Sequence, residues 1–298
     1  MQGLLLINKP QGITSFSAVS KVKWLLHQKR VGHTGTLDPM ATGVLPIFVG
    51  RATVLCGMIL DANKEYIAEI ELGTTTDTLD KTGTVLTKSE VSVTQTELEN
   101  VLKSFWGKGQ QIPPMYSAIK KDGVRLYDLA RKGETVERKP RDIEIYEIEL
   151  LSFNNNTFKI RVLCSKGTYI RSLSSDIGEK LGTGAVLTAL TRTKTAGFDI
   201  NECVDLDTLT PENISSYLLN PEKAVMNYDE ITISDGQANR FINGGELDLN
   251  RLNFNKPPQD CDIFRVKGIG KFLGLGQVDL NKSALTIHCL TYHFSDAE

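Results

Sequence analysis

The sequence predicts an α+β protein: a large domain on a mixed or antiparallel sheet, then a small β-rich C-terminal domain. Three observations carry this prediction. Alternating apolar segments come as hairpin-like pairs where a βαβ repeat would place crossover helices. Capped helical segments stand between them rather than after every strand. From about residue 228 the chain changes to short strands with Gly-Gly, Pro-Pro and other glycine-rich turns. The boundaries this sets are 1–227 for the large domain and 228–298 for the small one, joined through an acidic, proline-marked linker.

The elements follow in order. "GLLLINKP" reads as a short buried strand closed by Lys-Pro. "TSFSAVSKVKWLLHQKR" has Thr14 or Ser15 as N-cap and apolar residues at 18, 19, 22, 25 and 26, which is a helical period. "EYIAEIELG" alternates and reads as a strand. "TQTELENVLKSFWG" reads as a capped helix ending at Gly107. "QIPPMYSAIKKDGVRLYDLARKG" begins as an extended proline loop and turns helical near Val124. "RDIEIYEIELLSF" and "TFKIRVLCSKGTYI" are consecutive strands joined at Asn154-Asn155-Asn156, and "IRSLSSDIGEKLG" is a helix closed by Gly182. Late in the chain, "FRVKGIGKFLGLGQVDL" reads as a hairpin. Its "GIGKFLGLG" is no dinucleotide loop, because the third glycine of GxGxxG falls on Leu273.

Composition narrows the function. At 298 residues and 40% hydrophobic, the chain can bury a substantial core. No apolar run reaches the roughly eighteen residues of a membrane span, and the N-terminus lacks a signal-peptide pattern. Five scattered cysteines, none at metal-ligand spacing, predict a reduced cytoplasmic protein without structural zinc. The net charge of −2 hides a gradient. Residues 1–51 hold six Lys/Arg against one acid, and 103–141 hold ten against four, whereas 201–264 carry twelve acids and four Lys/Arg. Such asymmetry suits a polyanion footprint on the first part of the molecule. No GxxxxGK[ST], HExxH or GxSxG is present.

That single acid is Asp38, within "VGHTGTLDPMATGVLP" (31–46), where neither a helix nor a strand period fits. Asp-Pro starts turns, so the plain reading of Asp38-Pro39 is a turn. The segment nevertheless strongly resembles the catalytic motif of the TruB family, the tRNA pseudouridine-55 synthases. "LLLINKPQGITSFSAVSKVK", "KEYIAEIELGTTTDTLDKTG", "PPMYSAIKKDGVRLYDLARKG", "SKGTYIRSL" and "GTGAVLTALTRTKTAGF" resemble further family segments, in family order, across residues 4–198.

The resemblance implies a pseudouridine synthase catalytic domain over 1–227 with an RNA-clasping insertion at about 108–141, and a PUA-like domain over 228–298. It implies that Asp38 is the catalytic carboxylate acting on a T-arm uridine of tRNA, as nucleophile or as base toward the ribose. The chemistry agrees. C1′–N1 breaks, the base turns and C1′ joins C5, with nothing oxidised, reduced or hydrolysed, so neither cofactor nor metal is required. Arg171 matches the partner that keeps the carboxylate ionised against desolvation. Tyr66 matches the residue stacked on the target base, a candidate for removing the C5 proton. Tyr169 and Leu190 match positions lining the uridine pocket, and His33 the histidine that packs into the T loop. Lys64, Lys120 and Arg131 are expected RNA contacts, and Gly32, Gly35 and Gly43 are expected to let RNA approach closely.

The expectation is therefore a cytoplasmic, cofactor-free, monomeric enzyme on the tRNA T stem-loop, without membrane or obligate protein partner. A tRNA-binding or RNA-folding module with little activity is the rival. An aspartyl-nucleophile hydrolase is disfavoured, because the sequence shows no second carboxylate near Asp38 to hold Mg²⁺.

Overall fold

The computed structural model describes residues 1–60, 62–121 and 123–292. Asp122 of the basic segment and residues 293–298 of the C-terminal domain lie outside them.

Strand β1 (Gly3–Lys9) is buried along nearly its whole length, with Leu5 and Ile7 in one core and Leu4 and Leu6 in another. This two-sided burial explains an unbroken apolar run. Thr14 caps α1 (Ser15–Leu25) by accepting from the Ser17 N–H. Strands β2 (Val31–His33) and β3 (Thr42–Val49) then flank the Asp38 loop. Both were invisible to periodicity. Three residues cannot show a period, and β3 is apolar on both faces and carries Pro46, a residue that argues against a sheet interior.

Next come β4 (Lys64–Leu72), the small hairpin β5 (Thr74–Thr76) and β6 (Val85–Lys88), and α2 (Gln95–Lys103). Thr94 and Glu97 close a capping box on α2. The helix stops at Lys103 rather than at Gly107, which instead opens β7 (Gly107–Gln111) at the edge of the main sheet. The chain leaves the sheet over 112–140 as hairpin β8 (Lys120–Lys121) and β9 (Val124–Arg125) with α3 (Leu126–Arg131). It returns as the antiparallel pair β10 (Arg141–Asn154) and β11 (Thr157–Cys164), followed by α4 (Ile170–Lys180) and β12 (Ala185–Thr195).

Two short strands, β13 (Phe198–Asp199) and β14 (Val204–Asp205), complete a ten-stranded mixed sheet. Its order is β14-β1-β3-β12-β4-β11-β10-β7, with β2 on β3 and β13 on β12. The parallel contact of β3 with β12 spans only Thr42–Thr191 and Gly43–Arg192.

The expected acidic linker is not one. β14 pairs with β1, Leu219 exchanges backbone bonds with Leu4, and Leu206, Leu209 and Ile214 enter the main core. Polar side chains dominate the segment while a few spaced leucines anchor it, a pattern composition alone cannot resolve. The C-terminal domain comprises β15 (Asp229–Thr232), α5 (Asp235–Ile242), β16 (Leu247–Asp248), β17 (Ile263–Gly268), β18 (Lys271–Asp279) and β19 (Ala284–Leu290). Its sheet runs β15-β17-β18-β19-β16, and Phe272 and Leu275 pack with Leu4, Leu6 and Phe48 of the large domain. No helix among the described residues is long and apolar enough to cross a membrane.

Two basic residues of this domain are already engaged with carboxylates. Arg265 pairs with Glu222 and, at 3.3 Å, with Glu230, and Lys267 bridges the same two carboxylates at 3.1 and 2.9 Å. Arg265 and Glu222 are both buried, so removing one partner strands a charge. Arg265→Ala should cost about 3 kcal/mol, the lower end for a broken buried pair because Lys267 still neutralises Glu222. Chemical denaturation of the intact chain measures this.

Candidate active site

The Asp38 loop is fastened on both sides. The Ala41 N–H donates to the Asp38 carbonyl at 3.1 Å, so Asp38-Pro39 does start a turn. Gly12 N donates to Pro39 O at 2.8 Å. The Ser15 hydroxyl, in the first turn of α1, accepts from Leu37 N and donates to Leu37 O. The turn therefore presents Asp38 while its neighbours hold the backbone still.

Arg171 meets it. Arg171 is only 4% exposed, so it is no surface residue, and its Nε lies 2.9 Å from Asp38 Oδ2. The contact is single, because the other guanidinium nitrogens are used elsewhere: Nη1 donates to Thr78 O and Nη2 to Tyr116 O at 2.7 Å. One cation near a helix N-terminus is thus held by three separate segments, including the basic insertion that supplies Tyr116. Burial pushes the Asp38 carboxyl above its ordinary range, and the Arg171 charge opposes that without reversing it.

The other predicted residues divide into two groups. Tyr66 is buried on β4, opposite Val162 of β11 and Arg192 of β12, and burial raises its phenol. Leu190 is buried on β12 opposite Ala68. Half-buried Tyr169 is the N-cap residue of α4, directly before the turn that carries Arg171. His33 ends β2, its Nδ1 is buried without a hydrogen-bond partner among the described residues, and burial lowers its pKa, which favours the neutral ring. Lys64 begins β4 with Nζ on the carbonyls of Leu60 and Ala62. Lys120 and Arg131 stand apart, exposed on the insertion. There Arg125 and Arg131 both lie over the Tyr127 ring, at 5.7 and 5.5 Å, a cationic patch organised by one aromatic.

Four residues that sequence reasoning missed complete the site. Asp80, 5% exposed, stands 3.8 Å from Arg171 Nε, so a second carboxylate does stand near Asp38, with Arg171 supplying the positive charge between them. Its Oδ1 accepts from the Thr78 and Thr82 hydroxyls and the Thr82 N–H. The signal was an acid among threonines in "TTTDTLDKTG", the same composition that surrounds Asp38. Gln111 exchanges two amide bonds with the Tyr169 backbone and fixes the start of α4. Fully buried Lys9 donates to Pro10 O and Ile13 O, and desolvation lowers its pKa to about 8. Arg192, also fully buried, donates to Val44 O and Gly35 O. It also accounts for two of the motif glycines: a Cβ at Gly43 would collide with the Arg192 backbone, and one at Gly35 would sit 3.3 Å from its Nη1.

Comparison with known proteins places the chain in a family. A family model described as "TruB family pseudouridylate synthase (N terminal domain)" matches residues 23–170, and "tRNA pseudouridylate synthase B C-terminal domain" matches 171–222. The chain belongs to the TruB family of pseudouridylate synthases. It is accordingly an isomerase. Its relatives include the protein named tRNA pseudouridine synthase B of Clostridium tetani, 48% identical, with 93% of this chain and 96% of the relative covered. The protein of that name from Azoarcus sp. is 44% identical, with 93% and 91% covered. Among solved structures, a Cbf5-Nop10-Gar1 complex contains a chain with TM-score 0.75 and 25% identity, covering 98% of this chain and 86% of that one. An H/ACA RNP bound to a substrate RNA containing 2'-deoxyuridine gives 0.73 at 23% identity, covering 97% and 85%, and supports the fold alone.

Proposed function

We propose that this chain converts a T-arm uridine of tRNA, position 55, to pseudouridine, with Asp38 as the essential carboxylate. The observation that carries the reading is the contact of Asp38 with a buried, triply tethered Arg171. Relatives at 48% and 44% identity named tRNA pseudouridine synthase B support tRNA as the substrate.

In this reading the target base leaves its stack, at a cost of a few kcal/mol, and enters a site walled by Tyr66, Tyr169 and Leu190. Asp38 acts on the ribose, as nucleophile at C1′ or as base toward a sugar proton. Arg171 holds the carboxylate in place and favours its ionised form. Tyr66 stacks on the base and takes the C5 proton once C1′ has joined C5. His33 packs into the T loop. Lys64, Lys120 and Arg131 contact RNA phosphates, which gives affinity, while the folded T arm and the pocket give selectivity. The enzyme works as a monomer in the cytoplasm, a compartment that suits its five free thiols.

Pseudouridine has the mass of uridine, so a plain mass measurement is blind to the reaction. Incubation with unmodified tRNA is expected to produce a carbodiimide-dependent reverse-transcription stop at the T-arm uridine. Binding without a stop would count for the RNA-folding module instead.

A further inference from the structure

Arg192 is a fully buried guanidinium, and no ion pair joins it to a carboxylate among the described residues. A buried cation without a counter-ion is costly, so its retention calls for a reason. Its two regular hydrogen bonds go to the two ends of one loop: Nη2 to Gly35 O, before Asp38, and Nε to Val44 O, after it, both at 2.9 Å. Gly35 and Gly43 adopt φ of +70° and +107°; Gly35 lies against the Arg192 guanidinium and Gly43 against the Arg192 backbone, so the loop closes on this residue from both ends. The remaining nitrogen, Nη1, is buried without a regular hydrogen-bond partner among the described residues. Arg192 is also the cross-strand neighbour of Tyr66, and its charge opposes the effect of burial on that phenol.

We propose that Arg192 is a positioning residue of this active site, tying both ends of the Asp38 loop and turning its spare N–H edge to the Tyr66 phenol. The proposal rests on the isomerase reading above. A lysine can reach one carbonyl but not both and has no planar edge to offer Tyr66.

The test compares wild type with Arg192→Lys and Arg192→Met, each alone and combined with Tyr66→Phe, under steady-state conditions on unmodified tRNA. Thermal melting and tRNA binding establish the folded fraction. Folded Arg192→Lys is expected to lose about a hundredfold in kcat with KM within about threefold, because a loop displaced by an ångström loses that much. The fold-loss should be smaller in the Tyr66→Phe background, since the two side chains share one interaction. A folded Arg192→Lys with wild-type kcat overturns the proposal. So does an equal fold-loss in both Tyr66 backgrounds, which is what a purely structural role gives. Wild-type protein run alongside separates the two claims: no pseudouridine there sinks the functional reading, whereas pseudouridine with an unimpaired variant sinks this inference alone.

Discussion

Asp38→Asn is expected to abolish pseudouridine formation while leaving tRNA binding within a few-fold of wild type. The substitution keeps the side-chain volume, and the turn does not need the carboxylate, because it is closed by backbone bonds from Ala41 and Gly12 and by the Ser15–Leu37 pair. Only the negative charge facing Arg171 disappears. The size of the loss is informative. A carboxylate acting as general base contributes on the order of 10²–10⁴, whereas removal of a covalent nucleophile costs nearer 10⁶. Single-turnover assays with the carbodiimide readout, corrected for binding, distinguish these values. Activity within about tenfold of wild type, below the range for any essential acid-base group, contradicts the assignment and favours the RNA-folding module.

Arg171→Lys is expected to lose turnover by about a hundredfold while tRNA affinity changes little. The basis is not a bidentate carboxylate contact, since only Nε faces Asp38. It is the division of one planar group among Asp38, Thr78 O and Tyr116 O, which an ammonium on a flexible stem cannot reproduce. The pH dependence adds a second readout. Burial already raises the Asp38 carboxyl, so the ionised form is lost on acidification above the usual range near about 4. Arg171 pulls in the opposite direction, and Arg171→Gln removes that pull. The acid limb of the pH–rate profile should therefore move to higher pH in Arg171→Gln. An unmoved limb, or equal losses of affinity and turnover in Arg171→Lys, would separate Arg171 from the ionisation of Asp38.

Much of this molecule was legible as sequence because its signals are local. Thr14 and Thr94 cap helices by bonds to residues three positions away, and Asp38-Pro39 starts its turn through a bond to Ala41. The alternation of β10 and β11 reflects one face packed and one solvated. Where a strand is buried on both faces, as β3 is, alternation vanishes and with it the signal. The acidic stretch after Asp199 looked like a linker because its few anchoring leucines are spaced by the surface they cover, not by a period.

By itself the sequence determined the α+β class and most element positions, and its resemblance to the TruB family marked Asp38, Tyr66 and Arg171 as chemistry-bearing candidates. Their motifs are short contiguous strings whose residue types constrain what they can do. Only the tertiary structure decided how those strings meet. It set Asp80 behind Arg171 from a separate hairpin, bound Arg171 to the insertion through Tyr116, and drove Arg192 from β12 beneath the Asp38 loop. Two of the three glycines expected to let RNA approach, Gly35 and Gly43, lie against that arginine, Gly35 at its guanidinium and Gly43 at its backbone. Hydrogen bonds and charges act through a few ångströms of space, and residues 35 and 192 become neighbours only when the sheet brings β3 and β12 together.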